Sequence, residues 1–464
     1  VKLLREIWSE EQTPLPPDLE IHGLSLDSRK VHPGDLFFAL QGRSGSGADY
    51  LVEVQAAGAT AALIEGREMP VFERRPDFLS ACVPNLRSRL SDVAARFFDH
   101  PASAARITAV TGTNGKTGTS YLAAALFDRL GHSAGYCGTL GFGRLPDLQP
   151  LDLTTPDAIE MQRVLKHLEG LGCSHVFVEV SSHALDQRRV EAVPFCWAVL
   201  TGLSRDHLDY HSNIESYWQA KRRLFFWPGL THRLVNGDDA RAAELAAEEL
   251  DFVYYGCADS ADIRLTNIRP VASGFRVSLT DSKEVIELEL KLLGRGNLMN
   301  TLAAAGLAYI EGHSLSEIAS VLPDLPPVPG RMQVFRENGR IIVVDYAHNP
   351  EALEMALQNL REHISGRLIC VFGCGGNRDA GKRPLMGRIA CENSDQVILT
   401  SDNPRDEDPN SILDDIESGC TDASVIRIPD RRQAVLKALN MASASDCVLI
   451  TGRGHESHQI IRGQ

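Results

Sequence analysis

One stretch limits what this chain can fold into more than any other: Ile107-Thr108-Ala109-Val110-Thr111-Gly112-Thr113-Asn114-Gly115-Lys116-Thr117. An apolar run ends at Thr111, a Gly-bearing loop and Lys-Thr follow, and a helix-like segment runs from Gly118 to Leu130. That is the strand–loop–helix order of a phosphate cradle. Gly112 and Gly115 let the loop's backbone N–H groups, those of Thr113 and Asn114 included, converge on phosphate oxygens, and the helix N-terminus adds a favourable field. Lys116 reaches the β/γ-phosphates, and Thr117 offers a hydroxyl to Mg²⁺. Val110 stands where the first Gly of GxxxxGK[ST] would be, so this is the shortened GxxGKT form. A Gly-rich turn without nucleotide is the plain alternative.

The remainder of the 464 residues reads as strands and helices arranged around that loop. Leu24–Arg29 reads as a strand entering a turn and Pro33–Leu40 as a turn entering a strand. Ser28 and Arg29 suit a polar ligand, or simply a solvated turn. Leu86–Phe98 has the pattern of an amphipathic helix leading into the phosphate strand. Apolar strands follow at His175–Val180, Trp197–Thr201 and Arg233–Asn236, with helical patterns between them. Such alternation implies a parallel sheet covered on both faces, with ligands beyond the carboxyl ends of its strands. Glu179 lies at one such end and Thr201–His207 after another, so both are expected near Gly112–Thr117.

Pro323–Gly330 is a stiff, helix-incompatible connector. Beyond it strands are expected at Ile341–Asp345, Leu368–Gly373, Gln396–Thr400, Ser424–Ile428 and Cys447–Thr451. Their ends lead into polar loops: Tyr346–Pro350, Gly375–Arg378, Asp402–Arg405 and Gly452–Glu456. Loops so rich in Asn, Arg, His and Gly are those of a second doubly wound domain presenting one face to a ligand. The expected segments are 1–86, 87–327 and 328–464.

Several side chains have two readings. Glu179 suits Mg²⁺ beside Thr117, or is merely exposed while Ser181 or Ser182 caps a helix. His207 and His211 have helical zinc-pair spacing but no third soft ligand nearby, so a hydrogen-bonded structural role is the usual alternative. Lys221, in a helix spanning Glu215–Phe225, is on its own a surface lysine. Asn297 and Asn300 share a helix face and suit a base or ribose, with capping the alternative for Asn297.

Composition removes other classes. A net charge of −14 disfavours a nucleic-acid backbone as main partner. Ten scattered cysteines without CxxC spacing read as reduced thiols. No apolar run is long enough to span a membrane, and no signal pattern opens the chain, so a cytoplasmic protein is expected.

Together, Asp27-Ser28-Arg29, Gly112–Thr117, Thr154-Thr155-Pro156, Glu179–Leu185 with Gln187 and Arg189, Ser204–His211, Lys221, Asp345–Pro350, Gly373–Arg383, Asp402–Arg405 and Gly452–Glu456 resemble the Mur ligase family in order and spacing. The resemblance covers about Leu24 to Gln459. It implies an α/β fold of three domains: a UDP-binding domain, a central P-loop ATPase with a mainly parallel sheet, and a C-terminal Rossmann-like domain. It also implies a reaction in which ATP phosphorylates the D-glutamyl carboxylate of UDP-N-acetylmuramoyl-L-Ala-D-Glu and an amine attacks the acyl phosphate. Lys221 matches a lysine that CO₂ carbamylates; with His207 it would hold one Mg²⁺, while Thr117 and Glu179 hold another. Leu26 and Ser28 match the uridine site; Thr154, Thr155, Ser181, Gln187 and Arg189 the muramoyl peptide; and Asn300, Arg331, Asp345 and His348 the ATP site. Arg378, Asp402, Asn403, Pro404, Arg405, Gly452 and Glu456 match the amino-acid pocket. The Arg405 fork suits the extra carboxylate of meso-diaminopimelate, which lysine lacks. Gly202, Gly296, Arg453 and Ser457-His458 depart from the family pattern. A monomer is expected. The alternatives are a lysine-adding homologue, folylpolyglutamate synthetase, or a non-catalytic nucleotide-binding protein.

Overall fold

The computed structural model describes residues 1–8, 18–42, 45–66, 72–75, 78–248, 250–420, 425–456 and 458–461. The chain divides into two compact units: Val1–Lys116 with Gly131–Leu234 and Leu250–Phe252, and Thr117–Leu130 with Val235–Glu249 and Val253–Gln464.

In the first unit, a sheet near the N-terminus runs in the order Gly23–Ser25, Asp35–Ala39, Ala61–Glu65, Phe78–Val83, Phe72–Arg75. All its pairings are parallel except the last. Every residue of Asp35–Ala39 is buried, as a parallel strand covered on both faces requires. Leu36 and Phe38 enter one apolar cluster, Phe37 and Ala39 the other. Helix Leu86–Phe97 closes the first cluster with Leu86, Leu90, Val93 and Ala94, the stripe that its sequence spacing predicts.

The second sheet of this unit contains, in spatial order, Asp147–Gln149, Gly141–Arg144, Ala134–Gly138, His175–Glu179, Arg106–Thr111, Phe195–Leu200 and the first three residues of His232–Asn236. The phosphate strand pairs in parallel with His175–Glu179 on one side and Phe195–Leu200 on the other. The expected strands are present within a residue or two at each end. Ala134–Gly138 and the two short strands beyond it were not expected. Their glycines weaken the strand signal. Two of them make room for neighbours: a Cβ on Gly135 would press Leu168 and Cys173, and one on Gly138 would overlap the Glu179 carboxylate. The helix after the loop starts at Lys116 and ends at Arg129, and Thr117 to Phe127 are all buried.

The second unit holds the strands Val253–Gly256, Ile263–Val271, Gly274–Thr280 and Val285–Leu290, the last three an antiparallel meander. No apolar run marks them in the sequence, because their outward face is polar and interrupts the apolar pattern. Helix Arg295–Glu311 packs against this group through a nearly continuous buried run from Thr301 to Ala308.

A six-stranded sheet completes the unit, in the order Gln333–Glu337, Arg340–Val344, Cys447–Ile450, Leu368–Phe372, Gln396–Leu399, Val425–Arg427. Only the first pairing is antiparallel. The last strand in the chain inserts beside Arg340–Val344, so the direction of winding reverses there. That is the switch point at which doubly wound sheets bind ligands. Four of the five expected strands are a residue or two shorter than anticipated and the first is shifted by one residue, and Ser424, where one was to begin, lies outside the described residues. Among the described residues, no helix is long and apolar enough to cross a membrane.

Candidate active site

The phosphate loop occupies the carboxyl end of Arg106–Thr111, in the first unit. Thr113 N–H donates to Gly202 O at 2.9 Å, and Thr201 Oγ1 donates to Asn114 O at 2.6 Å, so the neighbouring strand's exit loop braces it. Gly112 has φ +150° and Gly202 φ +145°, both in the region that favours glycine. The second value accounts for the glycine at 202. A Cβ at Gly112 would overlap Thr201 Oγ1. Gly112→Ala is therefore expected to lower Tm and to weaken ATP binding at least about tenfold, read by calorimetry, because strain and collision act together. Lys116 Nζ lies over the loop and donates to Gly112 O and Thr113 O, both at 2.9 Å.

Glu179 is fully buried rather than exposed, while Ser181 does cap the short helix Ser182–Asp186 by accepting from Ala184 N–H. Tyr136 Oη donates to Glu179 Oε1 at 2.5 Å, Thr139 N–H donates to the same oxygen at 2.9 Å, and Thr139 Oγ1 donates to Oε2 at 3.1 Å. Neither Tyr136 nor Thr139 was singled out in the sequence. The one signal was the glycine density around them.

Lys221 is not a surface lysine: it is 1% exposed. Its Nζ donates to Gly112 O at 2.8 Å and lies 4.6 Å from the centre of the Tyr217 ring. Burial, with Lys116 nearby, pushes its ammonium well below the usual lysine range. It forms no ion pair among the described residues. Tyr217 in turn donates to Thr113 Oγ1 at 3.2 Å. His207 takes a left-handed backbone at φ +52° and packs edge-on against His183, 4.9 Å between ring centres, and against Tyr217 at 6.0 Å. His211 is buried with Nε2 2.9 Å from Ser182 Oγ, a hydrogen-bonded position. Burial, then His207 and His211, pushes His183 down to about 4.

Beside these groups, Thr155, Ser181, Gln187 and Arg189 form one network. Thr155 Oγ1 donates to Glu179 O at 2.8 Å and accepts from Ser181 N–H at 3.0 Å. Arg189 donates to Gln187 Oε1 from Nε and Nη2, at 3.0 and 2.6 Å, and to Thr155 O at 3.0 Å. Thr154 Oγ1 lies 3.1 Å from Thr139 Oγ1. Leu26 packs on the N-terminal core, and Ser28 opens a turn capped by Asp27. Hydrogen bonds from Arg29 hold the Asp27 carboxyl down at about 2.

In the second unit, Thr119 Oγ1 donates to Asn300 Oδ1 at 3.3 Å, and a Cβ on Gly118 would overlap the Asn300 amide. Asn300 is thus set against the helix that follows the phosphate loop. Asn297 does not cap: its amide donates to Leu293 O and Arg331 O, each at 3.2 Å. The Arg331 guanidinium lies 4.4 Å from the Tyr346 ring centre. Asp345 accepts from Met332 N–H and Ala347 N–H at 2.7 and 2.8 Å, and His348 Nδ1 is 3.0 Å from Tyr346 O.

The loops at the carboxyl ends of Gln396–Leu399 and Cys447–Ile450 draw together Asp402, Asn403, Pro404, Arg405, Gly452 and Glu456. Asn403 is 7% exposed; its Nδ2 donates to Glu456 Oε2 at 3.1 Å and its Oδ1 accepts from Arg453 Nη1 at 2.7 Å. Arg453, which departs from the family pattern, is buried at 6% exposure, where its planar fork fits. Arg405 Nη1 donates to Gly376 O at 2.7 Å. Asp402 Oδ1 accepts from Asn403 N–H at 2.8 Å, whereas its buried Oδ2, over Gly452, has no hydrogen-bond partner among the described residues. Arg378 is exposed and joins none of these bonds. Ser457 lies outside the described residues.

Residues 20–100 match the Mur ligase family catalytic domain, 110–308 the Mur ligase middle domain, and 330–454 the Mur ligase glutamate ligase domain. The chain is 41% identical over 474 aligned residues to a UDP-N-acetylmuramoyl-L-alanyl-D-glutamate–2,6-diaminopimelate ligase of Coxiella burnetii, covering 100% of this chain and 96% of that one. It is 43% identical to a protein of the same name from Pseudomonas aeruginosa, over 96% of this chain and 92% of the relative. A solved structure bearing that enzyme name superimposes with a TM-score of 0.73 at 37% identity, covering 100% of this chain and 96% of the other.

Proposed function

This chain belongs to the Mur ligase family, and we propose that it is the ATP-dependent amide ligase that adds meso-2,6-diaminopimelate to the D-glutamate of UDP-N-acetylmuramoyl-L-Ala-D-Glu in peptidoglycan precursor synthesis. The observation that supports an amino-acid substrate is Asp402 Oδ2, a buried carboxylate oxygen with no hydrogen-bond donor among the described residues, on the same loop as the Arg405 fork that carries the choice of amino acid. A substrate ammonium supplies the missing donor, and a substrate carboxylate suits the guanidinium fork. Lysine, whose side chain ends in an ammonium without the second carboxylate of diaminopimelate, leaves the fork unmet.

The chemistry begins with a carboxylate that no amine attacks directly. Transfer of the γ-phosphoryl group of ATP to it gives an acyl phosphate and ADP. The amine then bonds to the acyl carbon and loses a proton, and phosphate leaves with the C–O electron pair. Lys116 and the loop N–H groups stabilise charge on the transferring phosphoryl group. Asn300, Arg331, Asp345 and His348 hold ATP; Leu26 and Ser28 hold uridine; Thr154, Thr155, Ser181, Gln187 and Arg189 orient the muramoyl peptide. The reading takes 1–86, 87–327 and 328–464 as UDP-binding, ATPase and amino-acid-binding domains of a cytoplasmic enzyme, and the three successive family segments support that order.

A hydroxyl, a buried carboxylate and an imidazole are a donor set that fits Mg²⁺. Thr117 and Glu179 would hold one ion, and His207 with Lys221 a second. Lys221 as an ammonium only donates hydrogen bonds and repels a cation. When its nitrogen bonds to CO₂ and gives up a proton, the side chain becomes a long carboxylate. When bound, Mg²⁺ neutralises charge on the phosphates.

An amino-acid panel tests the assignment. ADP release is expected only with both UDP-N-acetylmuramoyl-L-Ala-D-Glu and meso-diaminopimelate, with much less on lysine and none on folate with glutamate. Equal turnover on lysine would overturn the substrate, and ADP release without either partner would overturn the ligase.

A further inference from the structure

Glu179 does not reach its position unaided. The strand next to its own, Ala134–Gly138, supplies space and then donors. Gly138 has no Cβ, and the carboxylate fills the volume a Cβ would take. On either side of that glycine stand Tyr136 and Thr139. Tyr136 is fully buried, and the direction of its bond is set locally: Leu140 N–H donates to Tyr136 Oη at 3.2 Å, so the phenolic proton is turned toward Glu179 Oε1 at 2.5 Å. Thr139 adds its backbone N–H on the same oxygen and its hydroxyl on the other. The Thr139 proton is thereby directed to Glu179, so the 3.1 Å contact between the two threonine hydroxyls takes its proton from Thr154.

We propose that Tyr136, with Thr139, is a positioning residue that holds the Glu179 carboxylate in the single orientation from which it takes a divalent cation. This rests on the reading of Glu179 as a metal ligand. Groups that orient a ligand in this way typically set metal affinity by about 10–100-fold. A phenol suits the task because its ring packs in the core while its one proton points along a fixed line.

The test is Mn²⁺ binding to the full-length protein with a non-hydrolysable ATP analogue, followed by electron paramagnetic resonance, for Tyr136→Phe, Thr139→Val and Glu179→Gln. Tyr136→Phe keeps the ring and removes only the hydroxyl; its Mn²⁺ dissociation constant is expected to rise about tenfold or more. Thr139→Val is expected to act in the same direction and tests the clamp should the phenylalanine variant not fold. In turnover, the loss is expected at low Mg²⁺ and to be relieved by raising Mg²⁺, which a merely structural defect would not show. Mn²⁺ affinity within twofold of wild type in the folded variants, alongside its loss in Glu179→Gln, overturns the clamp alone. Unchanged affinity in Glu179→Gln overturns the metal reading instead.

Discussion

Lys221→Ala is expected to lose activity by about 10²–10³-fold in kcat, the scale of losing one preorganised charge-stabilising group. Lys221→Glu is expected to keep part of the activity, and short-chain carboxylic acids are expected to restore part of it to the alanine variant. The reason lies in where the amine sits. It is 1% exposed, its hydrogen bond goes to the loop carbonyl of Gly112, and Lys116 is close enough to disfavour a second cation. An ammonium there repels Mg²⁺, whereas a carbamate attracts it. Glutamate supplies a shorter anionic arm, and a diffusible acid supplies the anion without the tether. Steady-state rates with and without added acetate or propionate check this. Full activity of Lys221→Ala in the absence of additives would end the carbamate proposal.

The second large effect is expected at Arg405. Truncation to alanine should lower the ratio of kcat/KM for meso-diaminopimelate over lysine by roughly 10³-fold, because a site built to pair a polar group rejects the analogue that lacks it. The loop holds this arginine tightly. Its backbone is left-handed at φ +52°, its N–H donates to Ile460 O at 3.1 Å, and Nη1 is fastened to Gly376 O. One N–H of the fork is thus engaged in placing it, and the rest can meet a carboxylate. Lysine leaves those donors unpaired in the wild type but not in the variant. The paired specificity constants decide the matter, and an unchanged ratio would remove Arg405 from substrate selection.

What the sequence showed and what it hid follow physical lines. Parallel strands buried on both faces are continuous apolar runs, and those around Val110, Phe177 and Val371 were located to within a residue or two. Polar loops at their carboxyl ends were equally visible, since connectors seldom need so many Asn, Arg and His residues. The meander after Val253 was hidden, because a half-exposed antiparallel sheet alternates rather than runs. The Glu179 clamp was hidden for another reason. Tyr136 and Thr139 lie 43 and 40 residues from the carboxylate they serve, and only strand order brings them to it. The depth of Lys221 was likewise out of reach, since a lysine among Glu, Gln and Arg on a helix reads as solvated until tertiary packing buries it.

The interlock between residues 138 and 179 has a consequence for how such a protein can drift. A side chain acquired at 138 would evict the carboxylate, and a residue shorter than glutamate at 179 would open a void in the interior. Neither mutation is tolerable before the other, so descendants must keep both or change both together. The pair behaves as one heritable character, and a library that randomises either position alone will return little but the parent.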